Sequence, residues 1–156
     1  MVERVVSGAA LVDSPQVEGR RHSGGDGTDR HGGRVMLLID AANVVGSRPN
    51  GWWRDRAGAS RSLVDRVRAA VAAGRLAEPV VVVLEGDARG GAEEGESGGV
   101  TVVHAPGSGD DSLVAVTSDA RGEVTLVSAD RALRQRVESL GADVAGPGWL
   151  LALLDG

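Results

Sequence analysis

Short, mainly apolar runs punctuate the chain at intervals from residue 35 onward, and between them apolar residues recur every three or four positions. The runs are Val35–Ile39, Val80–Leu84, Val100–His104, Val124–Ser128 and Ala142–Ala145. Their length and their richness in Val predict strands buried on both faces. After the first run, Leu63, Val67, Ala70 and Val71 share one helical face, with Ser60 as the expected cap and Gly74 as the expected stop. Asp110 or Asp111 opens a second expected helix through Val116. A third carries Leu133, Val137 and Leu140 on one face and ends at Gly141, and Trp149–Leu154 predicts a last turn or two. Strands and helices in alternation predict an α/β fold: a single three-layer, Rossmann-like domain with a mostly parallel sheet. Counting the five runs in chain order, the expected strand order is 3-2-1-4-5.

Residues 1–33 sustain neither period. Their RRHSGGDGTDRHGG run predicts a flexible, solvated tail, with His22 and His31 inside it. The folded domain is expected over 34–156. Its Gly- and Glu-rich segment 86–99 reads as a mobile loop.

Composition narrows the chemistry mainly by what is missing. With 156 residues the chain suits one domain, and its net charge of −5 excludes a basic footprint spread over the whole surface. The sequence has no Cys, which removes disulfides, thiolate zinc sites and a Cys nucleophile. All 17 basic residues are Arg. A Walker A loop, a Schiff-base enzyme and a response-regulator receiver all need a Lys and are disfavoured. No apolar run is long enough for a membrane span, and the N-terminus is a poor signal peptide, so a cytoplasmic protein is expected.

Ligands of open α/β sheets bind beyond the carboxyl ends of the strands. Asp40 ends the first expected strand, Asp110 and Asp111 follow the third, and Asp130 lies just beyond the fourth. Gathered on one rim, such carboxylates repel one another unless a divalent cation neutralises them. Oxygen-only ligands suit Mg²⁺ or Mn²⁺, which activate water and steady charge on a phosphoryl group. Each acid also has a plainer role. Asp110, Asp111 or Asp130 suits a helix N-terminus, and Asp130 can pair with Arg134. Asp40, closing an apolar strand, reads as neither a cap nor a solvated residue. Glu85, Asp87 and Asp119 are weaker candidates, and His104 suits a turn as well as the rim.

The segment GSRPNGWWRDRAG follows the Asp40 strand. Arg48, Arg54, Arg56 and Arg61 make it locally positive, and Trp52 and Trp53 offer stacking faces. Arg recognises phosphate bidentately and Trp stacks on unpaired bases. One Trp is expected to pack structurally while the other stays exposed.

At these residues the sequence resembles NYN-domain proteins, of the PIN-like group of metal-dependent nucleases, over roughly residues 35–150. The resemblance rests on IDAANVVG, GSGDDSL and LVSADRAL in that order. The first matches the family's Asp and Asn at Asp40 and Asn43. The second matches its helix-opening acid at Asp111, with Asp110 as the alternative. The third matches the first Asp of a Ser-Gly-Asp-Ser-Asp signature at Asp130. The signature's second acid falls on Ala132, leaving the site one carboxylate short. GSRPNGWWRDRAG also looks like the corresponding segment of bacterial members. The resemblance implies a PIN-like fold and an endoribonuclease that cleaves single-stranded RNA through a metal-activated water. Asp40, Asp111 and Asp130 would hold the metal, Asn43 would orient a ligand water or phosphate oxygen, and Arg48, Arg54 and Arg56 would bind backbone phosphates. Two other readings remain beside it: a nucleotide pyrophosphohydrolase, and a non-catalytic RNA- or protein-binding module.

Overall fold

A computed structural model describes residues 35–156. The tail expected over 1–33, His22 and His31 included, lies outside the described residues. Five of the strands are the predicted apolar runs: β1 (Met36–Asp40), β2 (Val80–Leu84), β4 (Val100–His104), β5 (Val124–Val127) and β6 (Asp143–Ala145). A sixth, β3 (Gly95–Ser97), pairs antiparallel with β4 at the sheet edge. The order is β3-β4-β2-β1-β5-β6. Without the edge strand this is the expected 3-2-1-4-5, with parallel pairing throughout.

Strand residues alternate between two cores. Leu37, Ile39, Val80, Val82 and Leu84 face helices α1 (Ala41–Gly46), α2 (Arg56–Ala72) and α5 (Pro147–Asp155). Leu38, Val81, Val83 and Leu126 face α3 (Gly109–Asp119) and α4 (Arg131–Glu138), which contribute Leu113, Leu133 and Val137. Both faces of the central strands are therefore apolar, and a run such as VVVVL is buried at every position.

Several boundaries depart from expectation. The six-residue helix α1 had no periodic signal, because Ala41 and Val44 are its only buried positions. Helix α2 starts four residues before Ser60 and is capped by Asp55, whose Oδ1 accepts from Gly58 N at 2.9 Å. Ser60 instead sits inside the helix, donating to Ala57 O and Ala88 O. Ser108, not Asp110 or Asp111, caps α3. Leu140 lies beyond the end of α4 and is 48% exposed, so it does not join the Leu133–Val137 face. The segment read as a loop at 86–99 contains a 3-10 helix over Gly86–Gly91 as well as β3. Gly91 reaches α2 so closely that a Cβ there would lie 2.1 Å from Ser60 Oγ.

Candidate functional site

Strand parity places the acids. Leu38 and Asp40 point to the same face of β1, as do Val83 and Glu85 at the end of β2, and Leu126 and Ser128 at the end of β5. Since Leu38, Val83 and Leu126 belong to the α3/α4 core, Asp40, Glu85 and Ser128 emerge together at its carboxyl-end rim. Helix α3 begins there and adds Asp110, and the N-cap of α4 adds Asp130.

Asp40 is 8% exposed. Its Oδ1 accepts from Asn43 N at 3.3 Å, so the carboxylate caps α1, contrary to the expectation that it has no capping role. Its Oδ2 accepts from the fully buried Ser128 hydroxyl at 2.8 Å. Ser128 Oγ in turn accepts from Asp130 N at 3.1 Å, and Asn43 Oδ1 accepts from Ala129 N at 2.8 Å. These bonds stitch the β1–α1 turn to the β5–α4 turn. Asn43 acts here as a positioning group, and Asp130 caps α4 through Leu133 N at 3.0 Å. The alternative partner of Asp130, Arg134, donates its Nε to Ser128 O.

Glu85 Oε1 accepts from Gly109 N at the start of α3. The approach is close: a Cβ at Gly109 would lie 2.3 Å from Glu85 Oε1, so a larger residue there would displace the carboxylate. Burial raises the pKa of Asp40 above the ordinary carboxylate value, and the charges of Asp110 and Glu85 add to the rise against the opposing bonds from Ser128 and Asn43. Asp110 is also raised, first by burial and then by Asp130 and Glu85, with Arg136 opposing. Four carboxylates from four strand–helix junctions thus share one field: Asp40, Glu85, Asp110 and Asp130.

Of the expected metal ligands, Asp111 is the one drawn away. Its side chain is 77% exposed and takes a 3.2 Å bond from Arg136, so Asp110 is the α3 acid that enters the cluster. Glu85 was underrated in the sequence. Its signal was available, since it follows β2 as directly as Asp40 closes β1. His104 turns elsewhere: Nε2 contacts Ala92 O at 2.7 Å and its amide donates to Glu94. Asp119 ends α3 at the opposite pole, and Asp87 is exposed in the 3-10 helix.

The donors are chemically suited to a hard divalent cation, which would offset both the burial and the neighbouring negative charge that raise the pKa values of Asp40 and Asp110. Among the described residues, no three His, Cys, Asp or Glu already stand in metal-holding geometry.

The Arg/Trp segment divides in two. Trp52 is half-buried, with its ring over Gly46, and Trp53 is 52% exposed. Arg48 is held by Asp155 at 2.8 Å, and Arg61 lines a separate open cleft with Gly91–Ser97. Arg54 and Arg56 remain at the Trp pair.

A three-layer α/β domain with an acidic rim at the carboxyl end of its parallel strands is the class that fold and site define. The chain is similar to the crystal structure of a tryptophan-to-leucine mutant of Rae1 (YacP) from Bacillus subtilis, with a TM-score of 0.57 and 14% identity over 77% of this chain and 74% of that one. At that identity the likeness speaks for the fold. No protein-family model and no curated protein matches the sequence. No helix among the described residues is long and apolar enough to cross a membrane.

Proposed function

We propose that the protein is a metal-dependent endoribonuclease of NYN type, hydrolysing phosphodiester bonds of single-stranded RNA at the Asp40–Glu85–Asp110–Asp130 rim. The observation that carries this reading is the convergence of those carboxylates on the one rim where ligands of parallel sheets bind, after β1 and β2 and at the starts of α3 and α4. The fold similarity to Rae1 and the ordered motifs IDAANVVG, GSGDDSL and LVSADRAL support it.

Mg²⁺ or Mn²⁺ bound here would supply a water of lowered pKa and neutralise charge on the phosphoryl oxygens. Asp40, Glu85, Asp110 and Asp130 would hold it. Glu85 then stands in for the acid that Ala132 lacks, coming from β2 rather than α4. Ser128 and Asn43 fix Asp40 in place by bonding both of its oxygens, directly and through the backbone. Arg136 lowers the cost of ionising Asp110.

Cleavage of an end-labelled single-stranded RNA with Mn²⁺ or Mg²⁺ tests the reading. Wild type should cut, and Asp40→Asn and Asp130→Asn should each lose activity while keeping the fold. No cutting by folded wild type across several RNAs would sink it. The net charge of −5 is easier to reconcile with one alternative, hydrolysis of a nucleoside triphosphate, and release of pyrophosphate from added nucleoside triphosphates would reveal it.

A further inference from the structure

The acidic rim leaves one chemically distinctive surface unused. Trp52–Arg54 form a 3-10 turn at the far end of α1, and its two rings meet edge to face with centroids 6.2 Å apart. Trp52 rests on Gly46, where a Cβ would be 3.5 Å from its ring, so it serves as a pedestal. Trp53 projects from that pedestal and is half exposed. An exposed indole in this position contributes little to the core, whereas a rigid aromatic face is what an unpaired base stacks on.

The charges around the pair sort by partner. Arg48 and Arg66 are both committed to Asp155. Asp55, between Arg54 and Arg56 in the sequence, is occupied as the cap of α2. Arg54 lies 5.7 Å from the Trp53 centroid and Arg56 lies 5.0 Å from that of Trp52, and among the described residues neither is ion-paired. Two cations are thus held against aromatic rings in a protein of net charge −5. The six residues of α1 put about 9 Å of helical rise between Asp40 and the pedestal, a separation a strand of few nucleotides can bridge.

We propose that Trp53 is a stacking platform for one unpaired base of single-stranded RNA, and that Arg54 and Arg56 take the phosphates flanking it. The choice of RNA rests on the function proposed above, but the platform binds without turnover. The surface selects unpaired over duplex substrate, because a base inside a helix has no free face to offer.

The test is a titration of the full chain with a short oligouridylate in EDTA, followed by Trp fluorescence and by anisotropy of a labelled oligonucleotide. Wild type should bind with quenching. Trp53→Ala should lose affinity about tenfold or more, and Trp53→Phe should recover most of it. Arg54→Gln and Arg56→Gln should each lower the slope of log K against log salt by about 0.7, while Arg48→Gln leaves it unchanged. A duplex of the same length should compete poorly. Binding by Trp53→Ala equal to wild type, with circular dichroism unchanged, would overturn the proposal, and so would equal competition by the duplex. Binding and cutting, measured separately, keep the two readings apart. If wild type binds through Trp53 yet never cuts, the nuclease reading fails and the platform stands; if it cuts while Trp53→Ala binds normally, the reverse holds.

Discussion

Ser128→Ala removes one hydroxyl and should be felt twice. Ser128 is fully buried, and its hydroxyl donates to Asp40 Oδ2 while accepting from Asp130 N. A hydrogen bond to a charged group contributes roughly 1.5–3 kcal/mol, and removing one partner leaves a buried oxygen unsatisfied. The Asp130 amide is the smaller loss, since it stands at a helix start within reach of water. A cost of about 2 kcal/mol near neutral pH is therefore expected, equivalent to a fall in Tm of about 6–10 °C for a domain of this size. The cost has a signature. A protonated Asp40 needs the donor less, so the penalty should shrink toward about 1 kcal/mol as pH falls through the titration of Asp40. Urea unfolding at two pH values measures it, with the Asp40→Asn background completing a double-mutant cycle. If Ser128→Ala costs the same in both backgrounds and at both pH values, Ser128 does not serve the charge of Asp40, and the stitched rim is misread.

The raised pKa values of Asp40 and Asp110 mean that the native state holds protons more tightly than the unfolded chain, so their contribution favours folding at low pH and is lost as pH rises through the folded pKa values. Asp40→Asn should consequently stabilise the metal-free protein at neutral pH, read as a higher urea midpoint, at the expense of function. Gly91→Ala should destabilise by about 1–3 kcal/mol, because its Cβ meets Ser60 Oγ, the Ala57 carbonyl at 2.5 Å and the Arg61 amide at 2.8 Å; an unchanged Tm would mean the α2 contact is looser than described. Asp55→Ala should cost about 1 kcal/mol by uncapping the 17-residue α2, detectable by thermal circular dichroism.

The sheet was legible because VVVVL leaves no polar face, as a strand buried on both sides requires, and because the other runs are short and rich in Val or Leu. Helix boundaries were less so. Asp55 and Ser108 each compete with a nearby Ser or Asp of equal capping ability, and only the path of the chain decides between them. The edge strand β3 was hidden because its GES sequence is wholly exposed and has no pattern to read. At the site, Asp40 and Asp130 followed from their places after apolar runs. The choice of Asp110 over Asp111 depended on which residue of the first turn of α3 faces the sheet, one helical step apart. Glu85 ranked only as a weaker candidate because it borders the glycine-rich segment read as a mobile loop.

Titration of the protein with Mn²⁺, followed by calorimetry, tests the central claim most directly. Wild type should bind one ion, Asp40→Asn and Glu85→Gln should each weaken it by about tenfold or more, and Asp111→Asn should bind nearly as wild type. Absence of binding by folded wild type would contradict the account, as would a site indifferent to Glu85 but lost with Asp111.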